Sequence, residues 1–282
     1  AHLFVVRIKG IGGAAMQLPA FGKRLGDLVA EAGIVLASQK PIDKHACPQC
    51  TGVARARLIL SPLSANRDFM HRFPDYLLKG HANFIAGRYT REKERYRDLA
   101  TIGQSPTTMI IACCDSRAAP EMIFDSAPGE LFVLRNVANL VPTYQPDGGQ
   151  HGTSAGIEFA VKGLGISNIV IMGHGRCGGI SAALNPAPSP LHSGDFIGKW
   201  MSMLGGLPDQ VGQNDLMTAS ERQTALERIS IRNSINNLRT FPYVAELEAE
   251  GKMAVHGAWF DISSGELWIM DSESGDFVRP EL

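Results

Sequence analysis

The chain has 282 residues, enough for one large domain or two small ones with a sizeable buried core. Hydrophobic residues make up 44 % and charged residues 20 %, an ordinary globular composition, and a net charge of −1 excludes a broad basic field for nucleic acid or a membrane surface. The longest apolar runs, such as Ile169 to Met172, fall far short of the ~20 residues that a bilayer span requires. The cysteines are Cys47, Cys50, Cys113, Cys114 and Cys177, an odd and small set that does not resemble a disulfide framework. They read as reduced thiols, available to a metal or as nucleophiles. No basic flank followed by an apolar core opens the chain, so a cytoplasmic setting is expected.

In chain order, residues 1–68 carry scattered Gly, Ala and Arg without a sustained period. They read as an N-terminal extension, with one short helix possible over Leu25 to Ala37. Within it, "HACPQC" pairs Cys47 with Cys50. Such a knuckle can bind zinc, but a structural site uses about four ligands and no second knuckle follows. Residues 69–282 read as the folded domain. Its first helix starts near Asp75, a residue suited to capping, and carries Leu77, Phe84 and Ile85 at helical spacing. "TTMIIA" (107–112) and "ELFVLRN" (130–136) are strands. "GTSAGIEFAVKGLG" (152–165) is a helix, and "SNIVIMG" (167–173) a third buried strand. "HGRCGGISAAL" is a loop feeding a helix, and "DFIGKWMSML" is helical. A longer helix opens at Thr218 with Glu221 as its capping-box partner, and Pro242 marks its end. "KMAVHGAWFDISSGELWIMD" supplies a fourth strand, a turn and a return strand. The expected fold is α/β: a central, mostly parallel sheet of about four strands plus an antiparallel edge strand, flanked by helices.

Sites in such folds lie at the carboxyl ends of strands. One strand ends in "CCDSR" (113–117) and another runs into "GHGRCGG" (173–179). His174 and Cys177, two residues apart, can reach one metal from a turn. With one thiolate from the first strand the set is Cys2His, which leaves a fourth zinc position open, as catalytic sites do. The surrounding glycines permit tight turns. They are not a dinucleotide fingerprint or a P-loop.

These motifs resemble those of the beta-class carbonic anhydrases, and the "RNVANLVP" stretch is similar to the plant-type branch. "CCDSR" matches C-x-D-x-R and "HGRC" matches H-x-x-C. The likeness continues through "PGELFVLRNVANLVP", "GTSAGIEFAVKGLG" and "VHGAWFDISSGEL". The resemblance implies one Zn2+ per subunit, held by Cys113, His174 and Cys177. Cys114 then fills the variable position, facing away, because successive strand residues point to opposite sides. It implies reversible hydration of CO2 to bicarbonate and a proton, by attack of zinc-bound hydroxide. It further implies catalytic roles for Asp115, Arg117 and Gln104, and a substrate pocket of Phe132, Val137, Phe159 and Gly178. Phe159 stands where many relatives carry Tyr. Asp115 either pairs with Arg117 or occupies the open zinc position, and both arrangements occur in the family. Members are homodimers or larger, so the expected partners are a small-molecule substrate and copies of the same chain, with no nucleic acid and no membrane. Two other functions compete: a related zinc hydrolase acting on CS2 or COS, and a non-catalytic zinc-stabilised module. A structural zinc site needs none of Asp115, Arg117 or Gln104, which disfavours the module.

Overall fold

In the computed structural model the described residues are 73–185 and 194–281. The expected extension over residues 1–68, with its short helix and its cysteine knuckle, lies outside them. Helix α1 spans Asp75–Phe84. Asp75 is its first residue rather than its cap, where a carboxylate meets the positive end of the helix dipole.

Residues 84–282 form the unit that carries the sheet. Helix α2 (Lys93–Ile102) stops at Gly103, whose φ of 86° takes the chain out of the helix. Strand β1 (Thr108–Cys113) follows, then a single-turn helix α3 (Pro120–Ile123) and strand β2 (Leu131–Asn136). Helix α4 (Gly152–Glu158) continues into a π-turn at Phe159–Gly163 and leads to β3 (Asn168–His174). Five helices come next: α5 (Gly178–Leu184), α6 (Phe196–Met201), α7 (Leu207–Gly212), α8 (Ala219–Leu238) and α9 (Pro242–Ala249). Strands β4 (Ala254–Phe260), β5 (Leu267–Met270) and β6 (Phe277–Val278) close the chain.

The six strands lie in the order β2-β1-β3-β4-β5-β6. The pairs β1–β2, β1–β3 and β3–β4 are parallel, and β4–β5 and β5–β6 are antiparallel. The expected return strand β5 is therefore internal, and the antiparallel edge is the two-residue β6, too short to leave a sequence period. Pro242 also has a different part from the one its position suggests. Helix α8 ends at Leu238, and Pro242 opens α9, where the missing N–H costs nothing.

Alternation along β1 divides the core. Met109 and Ile111 face a cluster with Ile157 of α4 and Ile231, Ile235 and Leu238 of α8. Ile110 and Ala112 face the opposite side with Met172 and Ala258. Helix α8 presents Ile231, Ile235 and Leu238 on one stripe and starts with the expected capping box. Thr218 Oγ1 accepts from the Glu221 amide at 3.3 Å, while Glu221 Oε2 accepts from the Thr218 amide at 2.7 Å. The helix lies so close to the sheet that two strand glycines are required beneath it. A Cβ at Gly257 would sit 3.0 Å from Ile231 Cγ2 and 2.9 Å from Met270 Cβ, and one at Gly173 would sit 2.8 Å from Ile231 Cδ1.

Gly257→Ala therefore overpacks the α8–sheet contact. The expected loss is about 1–3 kcal/mol of unfolding free energy, read from the urea midpoint at unchanged slope. An unchanged midpoint would mean that α8 moves away from the sheet at no cost.

Candidate metal centre

The carboxyl ends of three adjacent strands bring the site together. Cys113 is the last residue of β1, Asn136 beside it the last of β2, and His174 the last of β3. Cys177 directly precedes α5. By alternation Cys113 points to the same face as Met109 and Ile111 and is buried, whereas Cys114 is exposed. Cys113, His174 and Cys177 are respectively 6 %, 1 % and 1 % exposed. Their donor atoms all lie within 4.8 Å of one another, the two sulfurs 4.0 Å apart.

His174 Nδ1 lies 2.9 Å from the Gly175 carbonyl. A carbonyl only accepts, so Nδ1 carries the proton and Nε2 presents its lone pair. That Nε2 is buried and has no hydrogen-bond partner among the described residues. Two thiols and a free imidazole nitrogen, packed this closely, fit a tetrahedral zinc ion with one position left over.

The charges follow the contacts. The hydrogen bond from Cys177 lowers the Cys113 thiol well below its ordinary range, against the opposing effect of burial, and the nearby His174 ring and the backbone of Asp115 and Ala138 lower it further. The neighbouring Cys113 sulfur and burial push the Cys177 thiol up. Burial alone would lower His174, but its contacts with Cys113 and Gly175 raise it overall.

A strained turn supports Cys113. Ala138 and Asn139 adopt left-handed φ values of 61° and 49°. Such conformations cost of order 1–2 kcal/mol in non-glycine residues and persist where surroundings enforce them. The turn aims the Ala138 amide at Cys113 Sγ, 3.3 Å away. Arg135 braces the motif from β2: its Nε donates to the Cys113 carbonyl at 2.8 Å and its Nη2 to the Asp115 carbonyl at 2.6 Å. Sequence reading passed over Arg135 as a strand residue. The available signal was a charged side chain at the end of an otherwise apolar strand.

Asp115 is held by three hydrogen bonds from one arginine. Arg117 Nε donates to Oδ1 at 2.9 Å, Nη2 to Oδ2 at 2.7 Å, and the Arg117 amide to Oδ1 at 3.0 Å. This fork holds the Asp115 carboxyl well below the usual carboxylate range. Oδ2 lies 3.9 Å from His174 Nε2, and the carboxylate stands outside the three-residue donor cluster.

The other expected residues divide into two groups. Val137 and Gly178 belong to the metal end: Val137 follows β2, and Gly178 follows Cys177. Phe132 pairs in register with Met109, four residues back from the Asn136–Cys113 pair, hence ~13 Å away along the strand. There it packs against Phe159, ring centroids 5.9 Å apart, and Phe159 is 53 % exposed. Gln104 is exposed in the loop before β1, with no hydrogen-bond partner among the described residues. One copy of the chain therefore does not bring the expected pocket residues together.

The sequence profile of the carbonic anhydrase family matches residues 108–267, which span β1 to the start of β5. The chain belongs to the carbonic anhydrase family. A carbonic anhydrase of Pseudomonas aeruginosa is 35 % identical over 202 residues, 72 % of this chain and 90 % of that protein. Among solved structures, the beta-carbonic anhydrase CcaA superposes with a TM-score of 0.67 at 27 % identity, covering 74 % of this chain and 92 % of its own. One of two tetrameric beta-carbonic anhydrases from Sordaria macrospora superposes at 0.61 with 29 % identity, over 72 % of this chain and 98 % of that one. These likenesses place the carbonic anhydrase in the beta class.

Two outcomes test the donor set. Cys113→Ser should lose bound zinc while Cys114→Ser keeps it, measured by elemental analysis after gel filtration; equal losses would mean that the register assigning Cys113 to the metal is wrong. Thiols must lose their protons to ligate zinc, so apparent affinity should rise with pH between 6 and 8 as proton release becomes easier. Chelator competition at several pH values reads this directly, and a flat profile would contradict ligation by the two thiols.

Proposed function

We propose that the chain catalyses the reversible hydration of carbon dioxide to bicarbonate and a proton, with one zinc ion per subunit held by Cys113, His174 and Cys177. The observation that carries this reading is the buried His174 Nε2, without a hydrogen-bond partner among the described residues, facing two thiols beside an arginine-held carboxylate. When bound, zinc supplies Lewis acidity that lowers the pKa of a water toward ~7. Every other task falls to side chains.

Asp115 receives the hydrogen bond that orients the attacking oxygen. Both its oxygens are fastened by Arg117, and this supports the arrangement in which Asp115 pairs with the arginine and stays out of the ligand set. The carboxylate remains charged and fixed at neutral pH, so its role is orientation, with little reorganisation when charge develops on the substrate. Arg135 acts one step further back by fixing the carbonyls of Cys113 and Asp115.

Carbon dioxide carries no charge, and a small apolar pocket suits it. Val137 and Gly178 flank the metal end, while Phe132 and Phe159 form an exposed aromatic pair further along β2. We assign Phe132, Phe159 and Gln104 to the pocket of a second copy, so that two chains complete each site. The open edge of β2 and the tetrameric Sordaria macrospora relatives support a homo-oligomer. No helix among the described residues is long and apolar enough to cross a membrane.

Stopped-flow measurement of carbon dioxide hydration on protein of known zinc content tests the reading. Zinc-replete protein should hydrate carbon dioxide between pH 7 and 9, chelation should abolish the rate, and added zinc should restore it. Asp115→Ala should lower kcat/KM by about 10²-fold or more at unchanged zinc content, the scale of a lost positioned proton-handling group. Full zinc occupancy with no hydration would overturn the proposal.

A further inference from the structure

Glu227, on α8, takes no part in the reaction as described above, yet it is 2 % exposed and lies directly behind the ligand loop. A buried carboxylate requires several donors to offset its lost hydration. Glu227 has three. Oε1 accepts from the Cys177 amide at 3.0 Å and from Gln223 Nε2 at 3.1 Å, and Oε2 accepts from Trp259 Nε1 at 3.1 Å. Gln223 Nε2 also donates to the Cys177 carbonyl at 3.3 Å, so both backbone groups of Cys177 are tied to α8. No lysine or arginine forms an ion pair with Glu227 among the described residues.

The loop held in this way is strained. Arg176, directly before Cys177, has a left-handed φ of 60°. Such a residue needs its surroundings to hold it there. The other end of the loop is fixed by the Gly175 amide, which donates to the Phe260 carbonyl at 2.8 Å. Gly175 also lies against the indole whose N–H reaches Glu227, since a Cβ there would sit 3.2 Å from Trp259 Cζ2. The indole is fixed in turn by Arg228, whose guanidinium stacks 4.6 Å from the Trp259 ring and 4.8 Å from that of Trp268.

We infer that Glu227 is a positioning residue: it locks the 174–177 loop in the shape that delivers Cys177 to the metal, and Trp259 and Arg228 hold Glu227 in place. The inference rests on the reading that Cys177 is a zinc ligand. Removing a group that orients a metal ligand typically costs 10–100-fold in metal affinity.

The test follows zinc release from the full-length, zinc-loaded protein to a chromophoric chelator. It adds the sulfur-to-metal absorption bands of the cobalt(II)-substituted protein, which report ligand geometry rather than stability. Glu227→Ala should release zinc about 10–100-fold faster and shift the cobalt bands. Glu227→Gln keeps an oxygen for the Cys177 amide but turns an N–H donor toward the Trp259 N–H, so it should also release faster. Adding Trp259→Phe to Glu227→Gln removes that clash and should return release and the cobalt spectrum toward wild type. Should Glu227→Ala fail to fold, the two glutamine variants decide alone. Wild-type release and spectra in Glu227→Ala, or in Glu227→Gln with and without Trp259→Phe, would overturn the inference. Cys177→Ser serves as the control: if it keeps its zinc, the ligand reading itself has failed, and that result is distinct from a Glu227 variant without effect.

Discussion

The structure is organised around one buried lone pair. His174 Nε2 sits in the interior with no donor to it among the described residues and two sulfurs close by. The backbone sets this direction: the Gly175 carbonyl takes the Nδ1 proton and so turns Nε2 toward the sulfurs. Everything nearby serves to keep three donors at that distance.

Parallel strands make this possible. Register places Asn136 beside Cys113, and β3 delivers His174 at the same end of the sheet. The turns that leave those strands then carry the strain. Ala138 and Asn139 after β2, and Arg176 after β3, are the non-glycine residues with left-handed backbone around the metal end. Two of these turns are fixed by bonds to or beside the donor cluster: the Ala138 amide to Cys113 Sγ, and the Cys177 amide to Glu227. Strain and chemistry thus coincide, with stability drawn from the α8–sheet core, where Gly173 and Gly257 allow the helix to sit against β3 and β4.

What could be read beforehand depended on the range of the interaction. The Thr218–Glu221 box was legible because both partners lie within one turn of helix. The side taken by Cys113 was legible because strand alternation is strictly local. Pro242 was misread because proline ends one helix and starts another with equal ease, and only α9 shows which applies. Arg135 and Glu227 were invisible because their partners are remote in sequence: the Cys113 carbonyl lies 22 residues from Arg135, and the Cys177 amide 50 residues from Glu227. Neither spacing has a period that a one-dimensional pattern can carry.

The sequence by itself determined the α/β class and the two strand ends that bring Cys113, His174 and Cys177 together. These depend on residue type and short spacing, which a linear pattern records. Only the tertiary structure decided that β6, not β5, forms the antiparallel edge, and that Asp115 is held by Arg117 outside the donor cluster. It alone placed Phe132 and Phe159 away from the metal end of the same chain. Those outcomes depend on distances between segments far apart in the chain, and such distances are set by packing, sheet register and turn geometry together.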